Sequence, residues 1–265
     1  MSLTQASSPP ARKQRPPPQS TVVTAVEQVT PLVTRIAVTG PDLAPFALAK
    51  PGAHMKLFFP AGEWPPAEGV ANAPRPPSRT YTPRRFDAAK SRLEIEFVMH
   101  GAGLASDWAA KAKVGDRLLV SAGPGGGYPV PEDISNLVII ADDTALPAAG
   151  MVIEALPHIC NVNAICEIEN AGEERALSPL VACKPQWLHR SPGTAKPGAM
   201  LQAAVASLSE QPAGTYYWVA CEAAAMRAIR DLLFARAGID RKRVHTRGYW
   251  KYGDTNYPDH DYGED

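Results

Sequence analysis

At 265 residues the chain is longer than the commonest single domain and long enough for two compact domains, each burying its own core. Lys+Arg and Asp+Glu each number 27, so no basic field invites nucleic acid, and no nucleic-acid partner is expected. The four cysteines, Cys160, Cys166, Cys183 and Cys221, stand apart without a CxxC pair, which argues against zinc and iron–sulfur sites and fits small buried residues in a reducing compartment.

In chain order, residues 1–19 are rich in Ser, Pro, Arg and Lys and lack the apolar core of a secretory signal, so they read as a disordered leader. No later stretch approaches the roughly 20 apolar residues of a membrane span. A cytoplasmic protein with no membrane partner is expected. Thr21–Val26, Leu32–Val38, Met55–Phe59, Arg79–Pro83, Leu93–His100 and Asp116–Ser121 are β-rich runs separated by Gly and Pro, the pattern of an antiparallel barrel. The proline-rich stretch 60–77 reads as a surface loop. Gly101–Lys113 interrupts the barrel with a Gly-x-Gly turn feeding a short helix, N-capped near Ser106.

Gly and Pro cluster at Tyr128–Asp133, and the pattern then changes to strand–helix alternation. Leu137–Ala141, Asn163–Ile168, Tyr216–Cys221 and Val244–Gly248 read as strands. Ala145–Leu156, Pro197–Leu208 and Glu222–Ala237 read as helices, the last stopped by Gly238. Such alternation predicts a parallel α/β sheet. The expected architecture is β + α/β: a six-stranded antiparallel barrel over residues 20–130, an α/β domain over 131–253 and an acidic tail over 254–265. Asp259-His260-Asp261 in that tail has metal-ligand residue types, but a flexible tail does not preorganise ligands, and no metal site is expected.

Four short motifs carry chemistry. In Ser78-Arg79-Thr80-Tyr81-Thr82-Pro83-Arg84 a strand puts Arg79 and Tyr81 on one face and Thr80 and Thr82 on the other, unless it bends at Pro83. A flavin needs a cation for its pyrophosphate, an aromatic plane and a hydrogen-bonding group near its reactive edge, and Arg, Tyr and Thr supply them; an amphipathic edge strand has the same pattern. His100-Gly101-Ala102-Gly103 before Ala105-Ser106-Asp107-Trp108 is either an anion cradle at a helix start or a plain turn with a Ser cap. Asp142-Asp143-Thr144-Ala145 joins a strand end to a helix, where open α/β sheets bind ligands, without G-x-G-x-x-G; its acids are ligands or caps. Arg247-Gly248-Tyr249-Trp250-Lys251 puts two aromatics after the last strand, over a ring or over the sheet edge.

The order of these motifs is more specific than any one of them. Arg79-Thr80-Tyr81-Thr82, Phe97-Val98-Met99-His100-Gly101, Ala105-Ser106-x-Trp108-Ala109, Asp143-Thr144-Ala145-Leu146-Pro147-Ala148, Trp187-Leu188-His189-Arg190, Trp218-Val219-Ala220-x-Glu222-Ala223 and Gly248-Tyr249-Trp250-Lys251 together resemble the siderophore-interacting protein family, from about Val22 to Gly253. The resemblance implies a ferredoxin-reductase-like flavoprotein that passes electrons from NADPH or NADH through FAD to a ferric siderophore. It implies FAD contacts at Arg79, Thr80, Tyr81 and Thr82, phosphate contacts at His100, Ala105 and Ser106, cofactor contacts near the ring at Asp143, Thr144 and Ala145, and Trp250 close to the flavin or the nicotinamide. Lys56, Arg247 and Lys251 are the candidates for meeting an acidic siderophore. The flavin carries the chemistry, so no catalytic side chain is named, and a monomer is expected.

This chain departs from many relatives at Leu104 (Pro), Ala141 and Cys221 (Gly) and Asp143 (Glu), and its Gly125-Gly126-Gly127 turn lacks an Arg that several carry. Lys184, His189 and Arg190 are possible partners of an NADPH 2′-phosphate, or simply surface charge. Two other readings stand beside the reductase: a non-enzymatic ferric-siderophore carrier that keeps the flavin fold, and a general flavin or ferric reductase.

Overall fold

The computed structural model describes residues 16–60, 62, 75–99, 101, 103–190, 196–255, 257 and 261. Its first half contains β1 (Gln19–Thr30), β2 (Val33–Thr39), β3 (Met55–Phe58), β4 (Ser78–Tyr81), β5 (Arg85–Asp87), β6 (Arg92–Val98), helix α1 (Leu104–Ala109) and β7 (Arg117–Val120). The strands form one antiparallel sheet in the order β4-β3-β7-β1-β2-β6-β5. Residues two apart, such as Met55 and Leu57 or Leu93, Ile95 and Phe97, point into its core, as a pleated strand requires.

The two edge strands, β4 and β5, are consecutive in sequence and joined only by Thr82-Pro83-Arg84. Pro83 has no N–H to continue a ladder. Beyond it, Arg84 N donates to the Glu94 carbonyl of β6 at 2.9 Å, so the chain leaves β3 and joins β6. The single strand expected over Arg79–Pro83 is therefore the first part of a bent one. Counted as one strand, β4 and β5 close the sheet into the expected six-stranded barrel.

Two local expectations need correction. Helix α1 begins at Leu104 with Gly103 as its N-cap residue, so Ser106 is not the cap; it is a buried residue inside the helix. Strand β1 outruns Thr21–Val26 because bulges near Val23 and Gln28 let one continuous run serve two partners, pairing β7 through Gln19–Val22 and β2 through Val22–Thr30.

The second half runs β8 (Asn136–Asp142), α2 (Leu146–Glu154), β9 (Asn161–Ile168), β10 (Gln186–His189), α3 (Ala199–Ala206), β11 (Tyr216–Glu222), α4 (Ala223–Phe234) and β12 (Val244–Trp250). The strands are parallel, in the order β10-β9-β8-β11-β12. On β8, Leu137, Ile139 and Ala141 pack with α2, while Val138 and Ile140 face the core built with α3 and α4. A strand covered on both faces reads as a continuous apolar run, which is why it was recognisable. Strand β10 was not expected: it is a partly exposed edge strand with only Trp187-Leu188 as an apolar signal. No helix among the described residues is long and apolar enough to cross a membrane.

The barrel docks on α2 through Arg84, which is 7% exposed. Its guanidinium forks onto Glu154, with Nη2–Oε1 at 2.7 Å and Nη1–Oε2 at 3.1 Å, and also donates to the Leu177 carbonyl at 3.1 Å. Gly150 makes the approach possible, since a Cβ there would overlap the Leu177 carbonyl oxygen and lie 2.9 Å from Arg84 Nη2. A second tie joins Glu173 to the Thr30 hydroxyl and, at 3.0 Å, to Leu32 N.

Burial alone would raise the Glu154 carboxyl, but the hydrogen bonds and charge of Arg84 outweigh it and hold the group below its ordinary value. A depressed carboxylate adds stability above its unfolded-state pKa and loses it as pH falls through the folded-state value. Glu154→Gln is therefore expected to cost about 1–3 kcal/mol near pH 7. Urea unfolding should show this gap closing as the pH drops toward about 3, well into carboxylate protonation. An equal gap at both ends of the range would contradict the ionic account.

Candidate functional site

The site begins on the barrel strand β4. Register pairs Met55 with Tyr81 and Lys56 with Thr80, so each pair shares a face. Tyr81 lies against Phe97 at 4.6 Å between ring centroids, Phe97 lies 5.8 Å from Trp108 of α1, and Trp108 lies 5.8 Å from Phe59. This aromatic chain fixes α1 beside the Arg79–Tyr81 strand. Burial pushes the Tyr81 phenol up, with the Arg79 charge pulling against it. Arg79 is half-buried and donates to its neighbour Ser78 O at 2.9 Å. On the other face Lys56 Nζ donates to Thr80 Oγ1 at 2.8 Å.

Two glycines, Gly101 and Gly103, precede α1. Gly101 has φ +89°, a conformation that favours glycine, and a Cβ at Gly101 or Gly103 would meet nothing within 4 Å. Asp107 N bonds to Gly103 O at 2.7 Å, so the N–H groups of Leu104, Ala105 and Ser106 precede the first intrahelical bond. Ala105 and Ser106 are buried. His100 lies outside the described residues.

At the carboxyl ends of the parallel strands, Asp142 is 1% exposed and accepts from Thr144 N (3.1 Å), Thr144 Oγ1 (2.6 Å), Glu222 N (2.9 Å) and Trp250 Nε1 (2.8 Å). Burial and the neighbouring Asp143 push its carboxyl up to about 7, against the Thr144 and Trp250 hydrogen bonds and the Arg190 charge. Asp143 forms an ion pair with Arg190, which also reaches Glu169 at 3.3 Å and Glu167 at 3.4 Å. Glu167 is fully buried and accepts from Gly198 N, Met200 N and Leu201 N at the start of α3. Ala145 is fully buried and Thr144 half-buried. Of the candidate phosphate partners, Arg190 is engaged by these acids, His189 is 2.8 Å from Glu174, and Lys184 is exposed.

Strand β12 brings the last group. Arg247 is 7% exposed, and its Nη2 lies 2.9 Å from His54 Nδ1; arginine can only donate, so that nitrogen accepts. His54 in turn exchanges backbone hydrogen bonds with Gly125 at 2.8 and 2.9 Å. Tyr249 lies near Thr82 of the barrel, and burial pushes its phenol up to about 12 against the Arg247 charge. Trp250 is held by Asp142, while Lys251 turns to Asp254 at 3.1 Å. Of Asp259-His260-Asp261 only Asp261 is described, and it folds back onto Gly248 and Arg227.

The structure thus packs Tyr81 and Ala105 with one aromatic chain, sets the Arg79 charge beside Tyr81, and gathers Thr144, Glu222 N and Trp250 on the Asp142 carboxylate, with His54–Arg247 linking barrel to sheet. Lys56, Arg247 and Lys251 are held by three different partners: Thr80, His54 and Asp254. The sequence assigns no role to His54 or, beyond its place in the Trp218–Ala223 motif, to Glu222, because the Arg247 and Asp142 that they meet are remote along the chain.

The sequence profile described as "Siderophore-interacting FAD-binding domain" matches residues 22–128, and "Siderophore-interacting protein" matches residues 134–253. An NADPH-dependent ferric-chelate reductase of Escherichia coli is 31% identical over 242 residues, 86% of this chain and 91% of that protein. Ferric vibriobactin reductase ViuB of Vibrio cholerae is 28% identical over 232 residues, 83% of this chain and 84% of that protein. The crystal structure of a siderophore utilization protein from T. fusca superposes with a TM-score of 0.78 at 34% identity, covering 93% of this chain and 98% of that one.

Gly126 has φ +59°, and a Cβ there would lie 2.8 Å from His54 Cε1 and 3.3 Å from Arg247 Nη1. Gly126→Ala is expected to cost about 1–2 kcal/mol from backbone conformation alone, lowering the melting temperature by roughly 2–8 °C. Adding His54→Ala should recover the part due to the ring contact. Calorimetry of the single and double variants checks this, and an unchanged Gly126→Ala melting temperature would contradict it.

Proposed function

The chain belongs to the siderophore-interacting protein family, and from that membership we propose that it is an FAD-dependent reductase that uses NAD(P)H to reduce the iron of a ferric siderophore. The observation that carries the reading is the meeting of two half-sites. The barrel strand with Arg79 and Tyr81 runs on into Arg84, which is bound to Glu154 of α2, and His54, just before β3, is bound to Arg247 of β12.

The donor set fits FAD. Arg79 offers a charge and the first N–H groups of α1 offer neutral donors to a pyrophosphate, beside glycines whose missing side chains leave open space. Tyr81 offers an aromatic plane held by Phe97, and Thr144 and Trp250, both tied to Asp142, would line the opposite side. Bound FAD would accept a hydride from the nicotinamide and deliver electrons singly to Fe(III). The protein's part is to hold both partners in register and to exclude water, and no side-chain acid or nucleophile is required. Iron arrives as substrate. Lys56, Arg247 and Lys251 would face its acidic chelator, Arg247 from inside the wall and the two lysines as rim charges. The relatives named as ferric reductases support this acceptor, and the E. coli protein supports NADPH as donor. Four free cysteines support a cytoplasmic setting.

Purified protein should take up FAD, turn yellow, and form Fe(II), trapped by a chelator, from a ferric siderophore only when NADPH or NADH is present. Tyr81→Ala should weaken FAD binding about tenfold through the lost aromatic contact. A protein that stays colourless with FAD and forms no Fe(II) would overturn the proposal. Tight chelate binding without nicotinamide oxidation would point to a carrier, and equal rates with unrelated electron acceptors to a general reductase.

A further inference from the structure

Asp142 ends β8 at the place where the sheet reverses direction. Strands β9 and β10 lie on one side of β8, and β11 and β12 on the other. Open α/β sheets receive ligands in the crevice at such a reversal. The two strands flanking it here are β8 and β11, and the Glu222 N–H at the end of β11 donates across the gap to Asp142 Oδ2 at 2.9 Å.

A carboxylate offers about four lone-pair sites. Oδ1 takes Thr144 N and Thr144 Oγ1, and Oδ2 takes Glu222 N and Trp250 Nε1, so all are used. An oxygen already accepting two hydrogen bonds is poorly placed to take a proton from a reacting group, and Asp142 is buried besides. Its effect has to pass through its neighbours. Thr144 has one hydroxyl hydrogen and gives it to Asp142, so the half-buried hydroxyl has only acceptor lone pairs left to offer. An entering group that pairs with Thr144 must bring its own N–H or O–H. The Trp250 indole, a donor with one N–H, is pinned with that N–H inward, which fixes the ring as a wall.

We propose that Asp142 is a positioning residue of the nicotinamide pocket: through Thr144 it presents an acceptor to the carboxamide N–H, and through Trp250 it fixes the wall beside it. The assignment of this crevice to nicotinamide rests on the reductase reading above; the four-bond clamp does not.

The test uses 15N-labelled, FAD-loaded protein, with the Trp250 indole N–H resonance assigned by its loss in Trp250→Phe, and NADP+ and NAD+ as probes. In Asp142→Asn an amide replaces one acceptor oxygen, so the Trp250 resonance should shift and exchange faster with solvent. Binding of whichever nucleotide the wild type takes should weaken about tenfold, the scale of one or two lost hydrogen bonds, with FAD retained. Thr144→Val should weaken the same nucleotide while leaving the Trp250 resonance in place. Asp142→Asn combined with Thr144→Val should cost less than the sum of the two. Should Asp142→Asn not fold, Thr144→Val and Trp250→Phe decide alone, and unchanged nucleotide affinity in both overturns the proposal. An unmoved Trp250 resonance in folded Asp142→Asn, or additive losses, also overturns it. Wild-type protein that binds neither nucleotide sinks the nicotinamide reading and the proposal with it, whereas wild-type binding that the variants leave unchanged sinks the proposal alone.

Discussion

A carboxylate taken out of water has to be met by donors or the fold bears a penalty of several kcal/mol. Three parallel strands of this protein carry such groups at or next to their last residue: Asp142 on β8, Glu167 on β9 and Glu222 on β11, all buried. Each is met by N–H groups from another element. Glu167 draws in the start of α3, Glu222 accepts from Ala225 N in α4 and from Tyr252 N beyond β12, and Asp142 gathers Thr144, Glu222 N and Trp250. The crevice at the strand ends is therefore shaped by acids facing inward, which explains how residues from four segments converge there without a glycine-rich dinucleotide fingerprint.

The same economy governs the join between the halves. Thr82-Pro83-Arg84 is the bend that closes the barrel, and its last residue reaches the α/β half, Arg84 binding Glu154 and the Leu177 carbonyl. Closing the barrel and docking it are one event in the chain. A shift of the docking would move Tyr81, immediately before the bend, relative to Trp250 on β12. Fold stability and site geometry are linked at this point.

Much of the fold was legible because burial writes a period into the sequence. Leu93, Ile95 and Phe97 alternate, and the run Leu137–Ala141 is apolar throughout, so their strands were evident. Strand β10 escaped because an edge strand half in water carries no such pattern. The start of α1 was misplaced because Ser106 has the residue type of a cap while Gly103 holds the position. In the site, residue types pointed to Arg79, Tyr81, Thr144 and Trp250, but the partners that orient them did not announce themselves. His54 and Arg247 meet across 193 positions, and Trp250 and Asp142 across 108. Sequence alone left Asp142 as a ligand or a cap. In the structure α2 has no side-chain cap, and Asp142 ties strand ends together.

The central claim is electron transfer from a nicotinamide through a flavin to chelated iron. Its most direct test is to follow flavin absorbance under anaerobic conditions, adding NADPH or NADH and then a ferric siderophore with an Fe(II) trap present. The account predicts bleaching of the flavin by the nicotinamide and return of its colour with matching formation of trapped Fe(II). A flavin that neither nucleotide bleaches, or that stays bleached when the ferric siderophore is added, would contradict it.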